Sequence, residues 1–480
     1  MRDCGRRTFL KAAAAAGAWP LFNLGCVSKP LAERKARIAL VGCGNRMDYG
    51  LVPDLVGEEI VAMCDPDPAM MRRRLATLGN LGYDVASVRH FFADYREMFD
   101  RISGELDAVV IAAPNHHHAL PAILAMRRGL HVYVEKPMAN TIDEVRAMVR
   151  EAKRAGVVTQ VGNQGHSGGT CPLLAETIRS GEMGAVTDVW VLDDRLNAMT
   201  YRPPPSPPPA GMDWDLWCGG SPRIDYYAAV AGKHGALHPH DFHSWIGYGN
   251  GSIGNMGTHL LDMPFYALKL AERAPSEIAL LDYMPGCEGS WGCRDTIEWK
   301  FPAGAGMPAV TFHWFDGVKD GVPYDQEHVD RIGICRRREY QNVPPRLAEI
   351  EKRHGAAFGQ LGSLVETEKG VLWSKHVDGT VTQILPKSLK KDLKAAKIPK
   401  TLPRAPGFNH VRDFLDACRT GRKAGCDFVD FGGPLAEMVL QGNVVARAGK
   451  GVYHWQNGRF AEDAANAFLG KTYRAGWEVA

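Results

Sequence analysis

Ile38-Ala39-Leu40-Val41-Gly42-Cys43-Gly44-Asn45-Arg46 is the stretch that decides how this chain folds. Four apolar residues in a row read as a buried strand, and the glycines after them as a tight turn into a helix. Glycine at such a turn lets the backbone approach a pyrophosphate, which the amides at a helix start attract. The full dinucleotide fingerprint has a third glycine, and Met47 stands there instead. A lone Gly-x-Gly is equally a plain strand–helix turn, so its surroundings must decide. The next apolar run, Ile60-Val61-Ala62-Met63-Cys64, ends on Asp65. That is about twenty residues after the turn, where an acid accepts a hydrogen bond from a ribose 2′-hydroxyl. A carboxylate there repels a 2′-phosphate, which favours NAD over NADP. Further on, Leu130-His131-Val132-Tyr133-Val134 runs straight into Glu135-Lys136-Pro137. Between the two landmarks short apolar runs alternate with amphipathic segments, as repeated βα units require.

A lysine usually ends on the surface. Lys136 instead closes a buried-type strand, at the edge of a nucleotide pocket, where it implies redox chemistry. Asn255, His259 and Asp262 are spaced i, i+4 and i+7, which predicts one shared helical face, with Leu260, Leu261 and Phe265 facing the core. His234, His238, His240 and His243 crowd a loop-like stretch with Asp241. Their spacing matches no metal motif, so no metal is expected, and His240 and His243 suit recognition of substrate hydroxyls better. Trp214, Trp217, Tyr226 and Tyr227 flank them and read equally as core packing or as faces for a sugar ring.

Taken together, Val109-Val110-Ile111-Ala112-Ala113-Pro114-Asn115-His116-His117-His118, Glu135-Lys136-Pro137, Gln160-Val161-Gly162-Asn163-Gln164 and Gly254-Asn255-Met256-Gly257-Thr258-His259-Leu260-Leu261-Asp262 resemble, at these spacings, the glucose–fructose oxidoreductase/inositol dehydrogenase (Gfo/Idh/MocA) family. The resemblance covers essentially the whole chain after residue 34. It implies an α/β fold: an N-terminal Rossmann dinucleotide-binding domain, then an α+β domain with a large open, mostly antiparallel sheet. The outer face of that sheet often forms a subunit contact in the family, which implies a homo-oligomer. It also implies that NAD is held by Gly42, Gly44, Asn45, Arg46, Asp65, Pro114, Asn115, His118, Glu135, Lys136, Asn163 and Gln164. Lys136 would then contact both nicotinamide and substrate hydroxyl, and His259 would accept the hydroxyl proton. His240, His243 and Asp262 are the candidate substrate contacts. One position departs: Asn255 stands where many dehydrogenases of the family carry Asp. An aspartate would stabilise imidazolium and strengthen the base, and an amide cannot.

Gly5-Arg6-Arg7-Thr8-Phe9-Leu10-Lys11 resembles a twin-arginine export motif, and the Ala-rich stretch from Ala12 to Gly25 is too short for a membrane span and is broken by Pro20. These features predict export by the twin-arginine route to the periplasm or cell envelope, with no transmembrane span left after signal removal. Asn23-Leu24-Gly25-Cys26 is an imperfect lipoprotein box, which makes Cys26 a candidate lipid anchor. Three parts are expected: residues 1–34 as signal and linker, 35–160 as the Rossmann domain, and 161–480 as the substrate-binding domain, its C-terminal helices packing back on the first. A net charge of +3 without basic runs gives no case for nucleic acid. The 11 cysteines are scattered and their spacing assigns no disulfide. Pro203-Pro204-Pro205-Ser206-Pro207-Pro208-Pro209 reads as a stiff surface excursion.

Export constrains the chemistry. No NAD pool outside the cytoplasm reoxidises released NADH, so a tightly held cofactor returned to its starting state each cycle is expected. The leading reading is an NAD-dependent oxidoreductase acting on a carbohydrate or polyol hydroxyl. Two readings from other classes stand beside it. One is an NAD-dependent glycosidase or lyase working by oxidation, elimination and re-reduction; the other is a catalytically silent sugar-binding protein, against which Lys136 and His259 argue.

Overall fold

The computed structural model describes residues 31, 34–228, 237–325, 327–330, 333–375 and 380–479. The twin-arginine motif, Cys26 and His234 lie outside them. The apolar runs read from the sequence become a six-stranded parallel sheet: β1 (Arg37–Val41), β2 (Glu59–Cys64), β3 (His90–Phe92), β4 (Ala108–Ile111), β5 (His131–Glu135) and β6 (Thr159–Gly162), in the order β3-β2-β1-β4-β5-β6. The middle strands are buried almost end to end because helices cover both faces, which is why they appear as unbroken apolar runs. The strand order reverses at β1, between β2 and β4, and the crevice beyond the carboxyl ends there is where such sheets bind ligands.

After β6 the strands change character. β7 (Val186–Leu192), β8 (Glu277–Met284), β9 (Arg294–Phe301), β10 (Val310–Phe315), β11 (Gly362–Thr367), β12 (Gly370–Lys375), β13 (Thr380–Leu385), β14 (Gly451–Gln456) and β15 (Arg459–Phe460) form a nine-stranded sheet in the order β13-β12-β11-β7-β10-β9-β8-β14-β15. Only β7 and β10 pair in parallel; the other neighbours are antiparallel. Alternation follows: Val310, Phe312 and Trp314 of β10 are buried, while Thr311, His313 and Phe315 are half-buried on the outer face. On that face Trp190 stacks on His313, with ring centroids 3.8 Å apart, and His313 sits between Asp188 and Glu298 at 3.0 Å each.

Two late helices tie the domains together. His410–Thr420 buries Val411, Phe414 and Leu415 in the same cluster as Ile38 and Leu40 of β1. Gly433–Ala448 lies against both the helix Ile142–Ala155 and β8. The cysteines of the described residues are free, and among those residues no helix is long and apolar enough to cross a membrane.

The single helical face expected for Asn255, His259 and Asp262 does not form. Ile253–Gly257 is a π-turn, Thr258–Leu260 a short α-helical turn, and a new helix begins at Asp262 (Asp262–Ala267). An i→i+5 turn rotates every following side chain relative to an α-helix, and such turns gather at functional sites. Asn255 and His259 line one cleft, whereas Asp262, past the break at Leu261, meets Asn163 and His166.

Candidate active site

The carboxyl ends of β1, β2, β4 and β5 open into a cleft of about 390 Å³ whose far side is supplied by the second domain. Gly42 forms its turn with φ +79°, and a Cβ there would lie 2.5 Å from the Ala113 backbone nitrogen. The turn packs directly on the loop after β4, so only glycine fits. At Gly44 a Cβ would meet nothing within 4 Å and would protrude into the cleft, the open approach a pyrophosphate needs.

Asp65, at the end of β2, is buried, and its carboxylate accepts from the backbone N–H of Cys43 (2.7 Å) and of Asp67 (2.8 Å). It fixes the glycine turn as well as facing the cleft, and burial lifts its carboxyl to about 7. Arg46 reaches across to Glu135 (Nε to Oε1, 2.8 Å), and Gln164 donates to the same Glu135 oxygen at 2.9 Å. Pro114, Asn115 and His118 line the cleft beside the turn. Asn115 donates to Asn250 Oδ1 at 2.9 Å, and His118 places its two ring nitrogens 2.6 Å from the Pro137 carbonyl and 2.7 Å from that of Ala113. His118 thereby clamps the loop after β4 to the loop after β5.

Lys136 extends from the end of β5 and donates from Nζ to Oδ1 of Asn255 at 2.5 Å and to its carbonyl at 3.1 Å. Burial lowers its pKa from the ordinary lysine value to about 8. Asn255 spends its other amide end on Asn197 Oδ1, at 2.9 Å. Its amide is thus committed to the lysine and to the loop after β7, not to tuning His259 in the way expected from the sequence. His259, His240 and His243 line the same cleft. His240 is half-exposed and holds Asp241 at 3.0 Å, whereas His243 Nδ1 is buried without a hydrogen-bond partner among the described residues. Burial, then the neighbouring His240 and Lys136, drive His243 towards its neutral form.

Two residues expected at the site lie elsewhere. Asn163 donates to the Thr258 carbonyl (3.0 Å) and to the Asp262 carboxylate, forming a buried latch between the end of β6 and the helix that follows the π-turn. Asp262 faces away from the cleft, where it also meets His166 Nδ1 at 3.0 Å and Cys171 Sγ at 3.7 Å. The aromatic group divides likewise. Trp214, Tyr226 and Tyr227 pack within their own buried cluster, while Trp217 stacks on Trp214 and reaches the cleft wall.

Arg195, which the sequence reading did not single out, lines the cleft. It lies in Asp193-Asp194-Arg195-Leu196-Asn197, immediately after the apolar run of β7. Asp193 and Asp194 stand between it and the strand, so the rule that picked Lys136, a charged residue directly after a buried-type strand, stops at Asp193. With an open glycine turn, a ribose-type carboxylate and a buried lysine in one cleft, the residues present fit a nicotinamide dinucleotide.

Comparison with known proteins agrees. Residues 36–163 match the sequence profile of the family described as oxidoreductase family, NAD-binding Rossmann fold. The chain is 27% identical over 213 residues to a 4-carboxy-2-hydroxymuconate-6-semialdehyde dehydrogenase of Sphingobium sp., covering 42% of this chain and 64% of that one. It is 32% identical over 137 residues to a glycosyl hydrolase family 109 protein of Shewanella woodyi, covering 27% of this chain and 28% of the relative. These matches span less than two thirds of either relative's length. Among solved structures, the WlbA dehydrogenase of Chromobacterium violaceum in complex with NADH and UDP-GlcNAcA superposes with a TM-score of 0.54 at 18% identity, covering 90% of this chain and 99% of that one. At that identity the likeness speaks for the fold alone.

Proposed function

Since the chain belongs to the Gfo/Idh/MocA family of NAD-binding oxidoreductases, we propose that it oxidises a hydroxyl group of a carbohydrate or polyol, its tightly held NAD taking the hydride and passing it to the carbonyl of a second sugar within each cycle. The observation that carries this reading is the position of Lys136, a buried ammonium at the end of β5, in the cleft that holds both the glycine turn and His259. NAD, when bound, supplies the hydride acceptor. Asp65, Gly44 and the turn up to Arg46 would hold it, beside Glu135, which Arg46 and Gln164 fix. Lys136 stabilises negative charge on the reacting oxygen, in a site dry enough for one electrostatic contact to matter. His259 takes the hydroxyl proton, directly or through a water, and returns it on reversal. Export by the twin-arginine motif at Arg6-Arg7 to the periplasm or cell envelope is the reason for keeping the cofactor on the protein.

A second reading is favoured by the relative named as a glycosyl hydrolase family 109 protein: the same residues would serve oxidation, elimination and re-reduction, with net hydrolysis. Mass spectrometry of the nucleotide carried by the purified protein, followed by incubation with free sugars and chromogenic glycosides without added NAD, separates the two. Cleavage without net nucleotide reduction selects the glycosidase, and net oxidation selects the oxidoreductase. A protein that carries no nucleotide and changes neither type of compound refutes both.

A further inference from the structure

The wall that the second domain gives to the cleft is basic. It carries the Arg195 guanidinium and the imidazoles of His240, His243 and His259, facing the Lys136 ammonium. Among the described residues that line the cleft from the second domain there is no carboxylate. The acids of the cleft (Asp65, Asp94, Glu135) all come from the first domain, and Glu135 is already paired with Arg46 at 2.8 Å.

The two full cations of the cleft, Lys136 from the first domain and Arg195 from the second, feel the charges of Glu135, Asp193 and Asp194, but among the described residues neither side chain is recorded donating a hydrogen bond to a carboxylate. Lys136 donates only to Asn255, a neutral amide at a position where an aspartate would be a fixed counterion. Arg195 Nε lies 3.6 Å from Asp194 Oδ1, beyond hydrogen-bond reach, and donates no hydrogen bond. Asp193 accepts from the Arg195 backbone N–H at 3.0 Å and attracts its guanidinium, yet burial, together with Asp194 and Asp316, pushes the Asp193 carboxyl well above the usual range and so weakens it as a counterion. Among the described residues, His243 Nδ1 is a buried polar atom without a partner, in a ring whose charged form is opposed first by burial and then by His240, Lys136, His118 and Arg195. A buried polar group left unpaired costs free energy, and several cations converging on one dry site do so as well. An anion placed among them answers both.

The pyrophosphate of NAD is not that anion, because it belongs at the Gly42–Asn45 turn of the first domain. Resting on the redox reading above, we infer that the substrate itself bears a carboxylate: a uronic or aldonic acid, or a glycoside of one, bound with its acid group against Arg195 and His243 and its reacting hydroxyl at Lys136 and His259. A guanidinium matches a carboxylate through two parallel N–H···O bonds.

The test uses the full chain with its bound nucleotide. Calorimetric binding of D-glucuronate and D-galacturonate is compared with D-glucose, D-galactose and glucose 6-phosphate, and nucleotide reduction is followed by absorbance. The acids should bind at least about tenfold more tightly than the neutral sugars. Arg195→Gln should weaken the acids by roughly 10–100-fold and the neutral sugars by less than about threefold, and Arg195→Lys should restore part of the loss. Equal binding of acid and neutral partners, an equal loss of both in Arg195→Gln, or preference for glucose 6-phosphate overturns the assignment. If the acids bind selectively but neither reduce the nucleotide nor are cleaved as glycosides, the redox reading falls and the carboxylate assignment stands.

Discussion

The two ends of one cleft are built by different rules. At the nucleotide end, Gly42, Gly44 and Asp65 are strand-end residues of adjacent parallel strands, held by contacts such as the Cys43 backbone N–H donating to the Asp65 carboxylate at 2.7 Å. At the substrate end, Arg195, His243, Asn255 and His259 come from separate loops and a π-turn, and meet through side chains such as Asn255 to Asn197 at 2.9 Å. The first end is acidic and backbone-defined, fitted to ribose hydroxyls and a dinucleotide backbone shared by many proteins. The second is basic and defined by side chains, where specificity for one substrate is set. Damage to the first end should cost cofactor, and damage to the second should cost turnover while the cofactor stays.

The largest effects test the second half of that contrast. His259→Ala should lower turnover by about 10²–10⁴, the range for a general acid–base group, and Lys136→Ala by roughly 10²–10³, the size of one lost electrostatic contact. Bound NAD, measured by mass spectrometry, should remain near that of the native protein in both; cofactor loss would mean that the ends are not separable. Gly42→Ala should do the reverse. Its φ of +79° alone disfavours an L side chain by roughly 1–2 kcal/mol. The Cβ would also press on the Ala113 backbone, so calorimetry should find a lower Tm and mass spectrometry little bound nucleotide.

A subtler effect lies in the pH profile. Lys136, brought to about 8 by burial, is charged below that pH and neutral above it, so turnover should fall as pH rises through about 8. Asn255→Asp would put a carboxylate against the ammonium and should move this limb upward by about one unit or more. The same change should weaken an acidic substrate. A limb that stays in place shows that another group titrates there. The smallest expected effect is at Asp65. Asp65→Asn removes the charge that repels a 2′-phosphate while keeping an oxygen for Cys43 N–H, so the NAD/NADP affinity ratio should narrow by about tenfold with modest loss of NAD binding. Equal affinity of the native protein for both nucleotides would break that account.

What the sequence by itself determined is what short-range pattern encodes. Unbroken apolar runs can only be strands covered on both faces, so the parallel sheet, its glycine turn and the strand-end positions of Asp65, Glu135 and Lys136 were legible residue by residue. The mostly antiparallel sheet that follows was implied by the family resemblance of the motifs. Only the tertiary structure decided where side chains from distant segments point. The i, i+4, i+7 spacing placed Asp262 beside His259, yet the helix is broken by a π-turn at Ile253–Gly257 and again at Leu261, and Asp262 packs with His166 and Asn163. Asn163, read as a pocket residue, became a latch for the same reason. Arg195 entered the site because β7 ends opposite β5 across a domain interface, a closeness of residues 59 positions apart that no local periodicity records. Local pattern fixes what a segment becomes, because backbone hydrogen bonding and one-face burial act over a few residues; which segments then share a cleft depends on long-range packing, which the pattern does not carry.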